Sequence, residues 1–491
     1  MRRIPFMLIL LLLISLPLHA QENATLRVGH YFITDGFDPH AQRSDGRLVS
    51  FDPIFDALVK LDAAGSTLPG LATDWAVTPE RITFTLLEDV VFSDGTPFDA
   101  AAAAANLNRA RTEGSGPVQQ ELAPIESVEA VDAVTLRLNM AQEDPFILQR
   151  LAGYPGMMIS PNAFDTVTRE PVGTGPFVLD LDDTIIGAFH AYNRNERYRD
   201  PGAIALDRIE VRVGSGADGI NALLGGEHDV AFVSAELSAQ LAAVDVVVYN
   251  TRAVLYAINI LDREGTLIPE LADQNVRCAL NYAIDREAYA FSVGGVAVEP
   301  LSTIIPDDWY GYAEDTITYD YDVARARALL AAAGVEALTI PSVTSPTFQV
   351  RHEAAMGFMP AIGITVNTDL VPVPEVIATI YGGEYPLSYV SIEPEHFTIF
   401  VQQHILADAP FNTFGAVDAD IEALAAAALT LPLDEAEPLW QEINQLINER
   451  CYFIPLTIGS LAVAAQPYVE NVETRFRTNG FIYLRDLALN R

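Results

Sequence analysis

The sequence predicts an α/β fold, and two observations carry that prediction. Runs with an apolar residue at every second position recur along the chain. Between them lie segments with a helix-starting cap, an apolar stripe at helical spacing and a glycine stop. No repeat of fixed period and no long linker interrupts the mixture, so any lobes must be joined by short crossings within one compact molecule.

Taken in order, Thr25 to His30 alternates with Leu26, Val28 and His30 on one face, and reads as a strand. Arg81 to Phe92 alternates again through Ile82, Phe84 and Leu86, until Ser93-Asp94-Gly95-Thr96-Pro97 supplies turn chemistry. Asp99 caps a helix through the alanine tract to about Arg111, and Gly114-Ser115-Gly116-Pro117 ends it. Val134 to Leu138 is a further alternating strand. Gln274 to Phe291 places Val276, Leu280, Ala283, Ile284 and Ala288 on one stripe, the pattern of a single helix. Asp322 starts a helix that stops at Gly334. Asp434, with Glu437 three residues later, resembles a capping box ahead of Leu439, Ile443, Leu446 and Ile447. Tyr452 to Ile458 reads as a buried strand.

The first twenty residues bear on compartment. Arg2 and Arg3 precede an apolar run from Ile4 to Leu18, and Ala20 precedes the polar Gln21-Glu22-Asn23. That is the layout of a secretory signal cleaved after Ala20, with an apolar core too short to span ~30 Å of hydrocarbon. The mature chain is expected to be soluble, outside the cytoplasm and most simply periplasmic. The formal charge of −37 over the full sequence repels phosphate backbones, so nucleic acid is not an expected partner. Lys60 is the only lysine, which fits either adaptation to a salty medium or a nucleotide bias towards Arg codons. Cys278 and Cys451 are the only cysteines, and sequence alone leaves open whether they pair.

An acidic exported hydrolase is the weaker competing class, because the sequence lacks the patterns it would need. Gly214-Ser215-Gly216 lacks the strand–elbow–helix setting of a hydrolase nucleophile, no H-E-x-x-H occurs, and His352-Glu353 reads as ordinary surface chemistry. Glu393, Glu395 and His396, with His404 further on, offer metal-donor types. Pro394 breaks their local geometry and no second His-rich segment joins them. A solvated charge cluster is the expectation there, with no catalytic residue, metal or cofactor.

Several segments resemble one family when taken together. Leu68-Pro69-Gly70-Leu71-Ala72 with Trp75, Phe84 to Pro97 (FTLLEDVVFSDGTP), Pro171 to Phe177 (PVGTGPF), Asn193-Arg194-Asn195 and Leu206-Asp207-Arg208-Ile209 occur in that order. Val276 to Glu287 (VRCALNYAIDRE) and Tyr319 to Gly334 follow. The series is similar to the extracytoplasmic solute-binding proteins of the dipeptide, oligopeptide and nickel ABC importers, family 5. Most of these residues build turns, caps and core, so they mark the architecture and leave the ligand open.

The resemblance implies a periplasmic binding protein-like α/β fold with two lobes around a cleft and an extra subdomain on the first lobe. Lobe I would combine 21–52, 171–253 and 465–491, the subdomain 53–170, and lobe II 254–464. It implies a monomer that captures a peptide or other small-molecule ligand by hinge closure and delivers it to a permease in the inner membrane. Metal chelates, sugars or opine-like compounds are alternative cargoes, and a sensor is an alternative partner. In lobe II the ligand strip would be Ser388, Tyr389, Val390, Ser391 and Glu393, within YPLSYVSIEPEHF. Val390 stands where the family commonly has an aspartate for a peptide α-amino group, and an apolar side chain cannot neutralise a desolvated ammonium. Opposite it, Tyr31, Phe32 and Ile33 at the end of the first strand would face the cleft, aromatic contacts being well suited to one.

Overall fold

The computed structural model describes residues 24–491 except 32, 42–47, 62–66, 143, 145–146, 215, 235–240, 242–243, 295–297, 308, 393–396, 408, 410, 430, 432 and 473–481. The expected signal at residues 1–20 lies outside the described residues, as do Phe32, Ser215, Glu393, Pro394, Glu395 and His396. No helix among the described residues is long and apolar enough to cross a membrane.

One eleven-stranded sheet runs through the molecule. Its strands are β1 (Thr25–His30), β2 (Phe177–Leu179), β3 (Phe189–Arg194), β4 (Arg208–Val213), β5 (Val230–Ser234), β6 (Val247–Ile260), β7 (Leu338–Thr344), β8 (Ile364–Leu370), β9 (Leu387–Ile392) and β10 (Phe453–Ala465). Across the sheet the order is β8-β7-β9-β6-β10-β5-β1-β4-β3-β2, and Glu299–Pro300 adds a short strand on β10. Parallel pairs occur in two groups, β4-β1-β5 on one side and β8-β7-β9 on the other. The long strands β6 and β10 join the groups, antiparallel from Val247–Ala465 to Asn259–Phe453. The expected strand at Tyr452 to Ile458 is therefore longer than its local pattern, because it continues into the other half and pairs there with β5.

Each half has its own core. Phe37, Phe51, Tyr192, Val211 and Phe232 anchor one cluster around β1, and Leu223, Val233 and Ala464 pack on the opposite face. On the other side, Ile258, Leu280, Tyr289, Tyr389 and Leu456 cover one face while Leu255, Phe397, Phe400, Trp440 and Ile443 cover the other. A four-stranded antiparallel sheet (Ala72–Thr78, Arg81–Leu86, Thr135–Met140, Ile125–Ala130) forms a separate cluster with Phe84, Phe92, Leu107 and Leu138.

Local signals explain most element ends. The alanine tract is helix α1 (Ala100–Glu113), with Asp99 Oδ1 accepting the Ala102 N–H at 2.9 Å. The stripe expected as one helix over Gln274–Phe291 is broken into α2 (Gln274–Tyr282) and α3 (Arg286–Gly294). Asp285 Oδ1 accepts the Ala288 N–H at 2.9 Å and restarts the helix there. The buried Arg286 then donates to the carbonyls of Asn281, Leu301, Tyr319 and Pro455. Asp322 caps α4 (Val323–Ala332) through the Arg325 N–H, and Gly334 adopts a φ of 74° beyond it. Next come α5 (Gln349–Met356) and α6 (Leu433–Glu449). Asp434 thus falls inside the first turn of α6 instead of ahead of it.

Glycines in the PVGTGPF segment permit a close chain crossing. A Cβ on Gly173 would lie 2.2 Å from the Ile54 carbonyl oxygen, and one on Gly175 would lie 2.4 Å from the Ile54 carbonyl carbon. Cys278 of α2 and Cys451, just before β10, form a disulfide with Cα atoms 5.2 Å apart.

Candidate functional site

The register of β6 and β10 brings two sets of strand ends face to face. β5 runs antiparallel to β10 and stops with Ser234 opposite Leu461. β9 runs antiparallel to β6 and stops with Ile392 opposite Leu255, which pairs in turn with Ile458. The carboxyl ends of the parallel strands in both halves therefore point at each other across three positions of β10. At ~3.3 Å per residue that gap is about 10 Å. Outside the carboxyl ends of parallel strands, where connections change side, is where an open α/β sheet offers a ligand crevice. β1, parallel to β5 with Val28 beside Val230, ends on the same edge at His30, so Tyr31 lies at the gap.

The expected site residues divide by burial. Tyr31 is half-buried against the first core and Ile33 is buried within it. Ser388 and Tyr389 are buried in β9, the Val390 main chain pairs with Ala257, and Ser391 is half-buried opposite Tyr256. Phe32 and Glu393 are outside the described residues. β9 is an interior strand, held by β6 along its length and by β7 at Leu387 and Ser388. A ligand backbone cannot add as a strand along its β6 side, which is already paired throughout.

An aromatic group fills the second half's side of the gap. Tyr256 stacks on Tyr389 with ring centroids 6.4 Å apart and planes at 29°, and Phe348 packs edgewise against Tyr256 at 6.3 Å. Gly459 leaves room for it, since a Cβ there would sit 3.0 Å from Tyr256 Cε2. The Tyr289 and Tyr389 hydroxyls share a 3.0 Å hydrogen bond. Burial pushes the Tyr289 hydroxyl up to about 12 and Tyr389 well above the ordinary phenol value, so both stay protonated and able to donate. The guanidinium of Arg351 lies 4.6 Å from the Tyr256 ring centroid, a cation–π distance.

His352 was expected to be surface chemistry, and the structure corrects that. It is fully buried, edge-on to Tyr389 at 5.8 Å, with Nε2 2.9 Å from Thr368 Oγ1. Burial pushes its pKa down to about 4, so the ring is neutral at pH 7. His404, weighed above as a metal donor, is buried between Phe400 and Phe411 and also neutral, its pKa lowered by burial to about 3. Among the described residues no group of three or more His, Cys, Asp or Glu could hold a metal ion. Several buried polar atoms on these strands lack a partner: Asn259 Nδ2, Ser342 Oγ, Thr344 Oγ1, Ser388 Oγ and Thr457 Oγ1. Buried polar atoms without partners are uncommon in folded proteins; here they are spread along the strands, with Thr457 beside the crossing and Asn259 and Ser388 at the far end of β9 and β10.

The sequence profile of the bacterial extracellular solute-binding proteins, family 5 (middle region), matches residues 67–395. The chain belongs to this family. Members of this class bind solutes outside the cytoplasm. The glutathione-binding protein GsiB of Escherichia coli (strain K12) is 30% identical over 324 residues, 64% of this chain and 62% of that protein, so the match spans under two thirds of the relative. GsiB of Salmonella paratyphi A is 29% identical over 480 residues, 92% of this chain and 91% of that protein. HbpA2 from Haemophilus parasuis has the same fold, with a TM-score of 0.82 at 19% identity, covering 95% of this chain and 100% of that one. This family-5 chain is thus a mixed α/β protein of the periplasmic binding protein type.

Proposed function

We propose that this chain is the solute-binding component of an ABC importer. It captures a small peptide or peptide-like solute outside the cytoplasm, closes on it and delivers it unaltered to the membrane permease. The observation that carries this reading is the facing of two sets of parallel-strand ends across the β6–β10 ribbon. A solute lodged there touches both halves at once, and only such a solute favours a closed form over an open one. Register shifts in β6 between Arg252 and Val254 and between Tyr256 and Ala257 lie at this crossing. Bulges bend and twist a strand locally, which suits a ribbon that must flex.

In this reading lobe I is 21–52, 171–253 and 465–491, the subdomain 53–170 and lobe II 254–464. The core clusters support the division, although Ile54–Ala57 and Tyr154–Val167 pack into the lobe I core. Tyr31, Phe32 and Ile33 approach the solute from lobe I, and Ser388, Tyr389, Val390, Ser391 and Glu393 from lobe II. The chain is exported by its first twenty residues and works as a periplasmic monomer without a cofactor.

The test is small-angle scattering and thermal unfolding of the mature protein with glutathione and a panel of short peptides. A true cargo shrinks the radius of gyration and, at 100 times its Kd, stabilises the fold by about 2.7 kcal/mol. The cargo must be recovered unchanged after incubation. Consumption of the compound in stoichiometric excess would replace this reading with an enzyme.

A further inference from the structure

In the division above, Arg150 ties the subdomain to lobe II. It ends the short helix Ile147–Arg150, and its Nη2 donates to Gln402 Oε1 at 3.1 Å, across a separation of 252 residues. Gln402 lies in the helix Phe397–His404, the first described element after β9 and its expected ligand strip. Unlike the β6–β10 ribbon, this link runs through side chains alone, so it can open without breaking the sheet.

The donor is held ready. Arg150 Nη1 donates to the Glu121 carbonyl at 3.0 Å and to Asp144 Oδ2 at 2.8 Å, and the Asp144 side chain is only 7% exposed. Both acceptors belong to the subdomain, so the planar guanidinium keeps its orientation whether or not Gln402 meets it. The junction is only partly satisfied. Gln402 buries its Nε2 without a hydrogen-bond partner, and Gln149, next to Arg150 on the same short helix, buries its Oε1 without one. A free donor on lobe II and a free acceptor on the subdomain are complementary, and buried polar atoms are rarely left so. A junction with one bond made and two atoms in want of partners suits a contact that forms and releases, more than a permanent seam.

We propose that Arg150 and Gln402 are a clasp, through which the subdomain holds the two lobes closed over the captured solute. This rests on the solute-binding reading above and gives the subdomain a part in regulating that site. The clasp does not touch the solute. One partly exposed hydrogen bond shifts the closed-to-open ratio by about 3- to 10-fold, enough to bias closure and still permit release.

The experiment uses double electron–electron resonance on the ligand-free mature protein, with spin labels at the exposed Ala76 of the subdomain and Ala337 of lobe II. Gln402→Leu removes the acceptor while sparing the Arg150 bonds inside the subdomain, and should lower the closed-to-open ratio about 3- to 10-fold. Q402E sets a carboxylate before the same guanidinium and should raise the ratio at low ionic strength, the gain fading as salt is added. R150M should open the protein as far as Q402L does, and the double variant no further, because each change removes the same bond. The inference is overturned if Q402L and Q402E both keep the wild-type distances, or if the effects of R150M and Q402L add. Should those variants match wild type while glutathione or a short peptide shortens the distance in all of them, the solute-binding reading stands and the clasp falls. A single distance, unmoved in every variant and by every member of that panel, would overturn both.

Discussion

Replacing Asp56 with Asn should destabilise the protein by about 3 kcal/mol, the low end of the range for orphaning a buried charge. Asp56 is fully buried, with Oδ1 accepting Arg485 Nη1 at 2.9 Å and Oδ2 contacting Arg199 Nη1. Asn keeps the shape and one acceptor but removes the charge facing both guanidiniums. Arg485, itself buried, retains Asp52 through a 3.1 Å contact from Nε, which keeps the loss from reaching ~5 kcal/mol. Burial alone would raise the Asp56 pKa, yet Arg485, Arg199 and Lys60 together hold it below the ordinary carboxylate value. The sign of the pH dependence follows. The stabilisation is fully present above the unfolded value of ~3.9 and is lost as pH falls through the lower folded value. Urea unfolding at pH 7, followed by circular dichroism, measures the difference. The exposed Asp200→Asn should change stability by less than ~0.5 kcal/mol as a control. A D56N loss under about 1 kcal/mol would refute the claim that this carboxylate neutralises the buried Arg485 and the half-buried Arg199.

Acid should destabilise the fold before its carboxylates protonate. Burial lowers His190 and His352 to about 4 and His404 to about 3, whereas unfolded histidines titrate near ~6.5. Stability present above ~6.5 should fall towards pH 4 by up to about 1.4 kcal/mol per pH unit for each such histidine, and NMR titration showing these rings charged at pH 5.5 would contradict it. Replacing Cys278 and Cys451 by Ser should cost about 2–5 kcal/mol, since the bridge closes a separation of 173 residues; equal urea midpoints for both proteins would show that the bridge constrains little. Gly175→Ala should cost on the order of 2 kcal/mol by forcing its Cβ into Ile54, more than Gly187→Ala, where nothing lies within 4 Å and only a φ of 79° resists. Matching melting temperatures for those two variants would show that the crossing at Ile54 has slack.

What could be read from the sequence was local. Asp99 and Asp322 announce helix starts because a cap and the N–H it binds lie three residues apart. The break at Asp285 went unread because the apolar stripe continues across it, and only Arg286 and its distant carbonyl partners fix the second helix. The β6–β10 ribbon was illegible for the same reason in stronger form. Its partners are about two hundred residues apart, and its length is set by pairing with β5 and β9 in separate halves. His352 looked superficial beside the exposed Glu353, and its burial depends on Thr368 and Tyr389, which no pattern around it reveals.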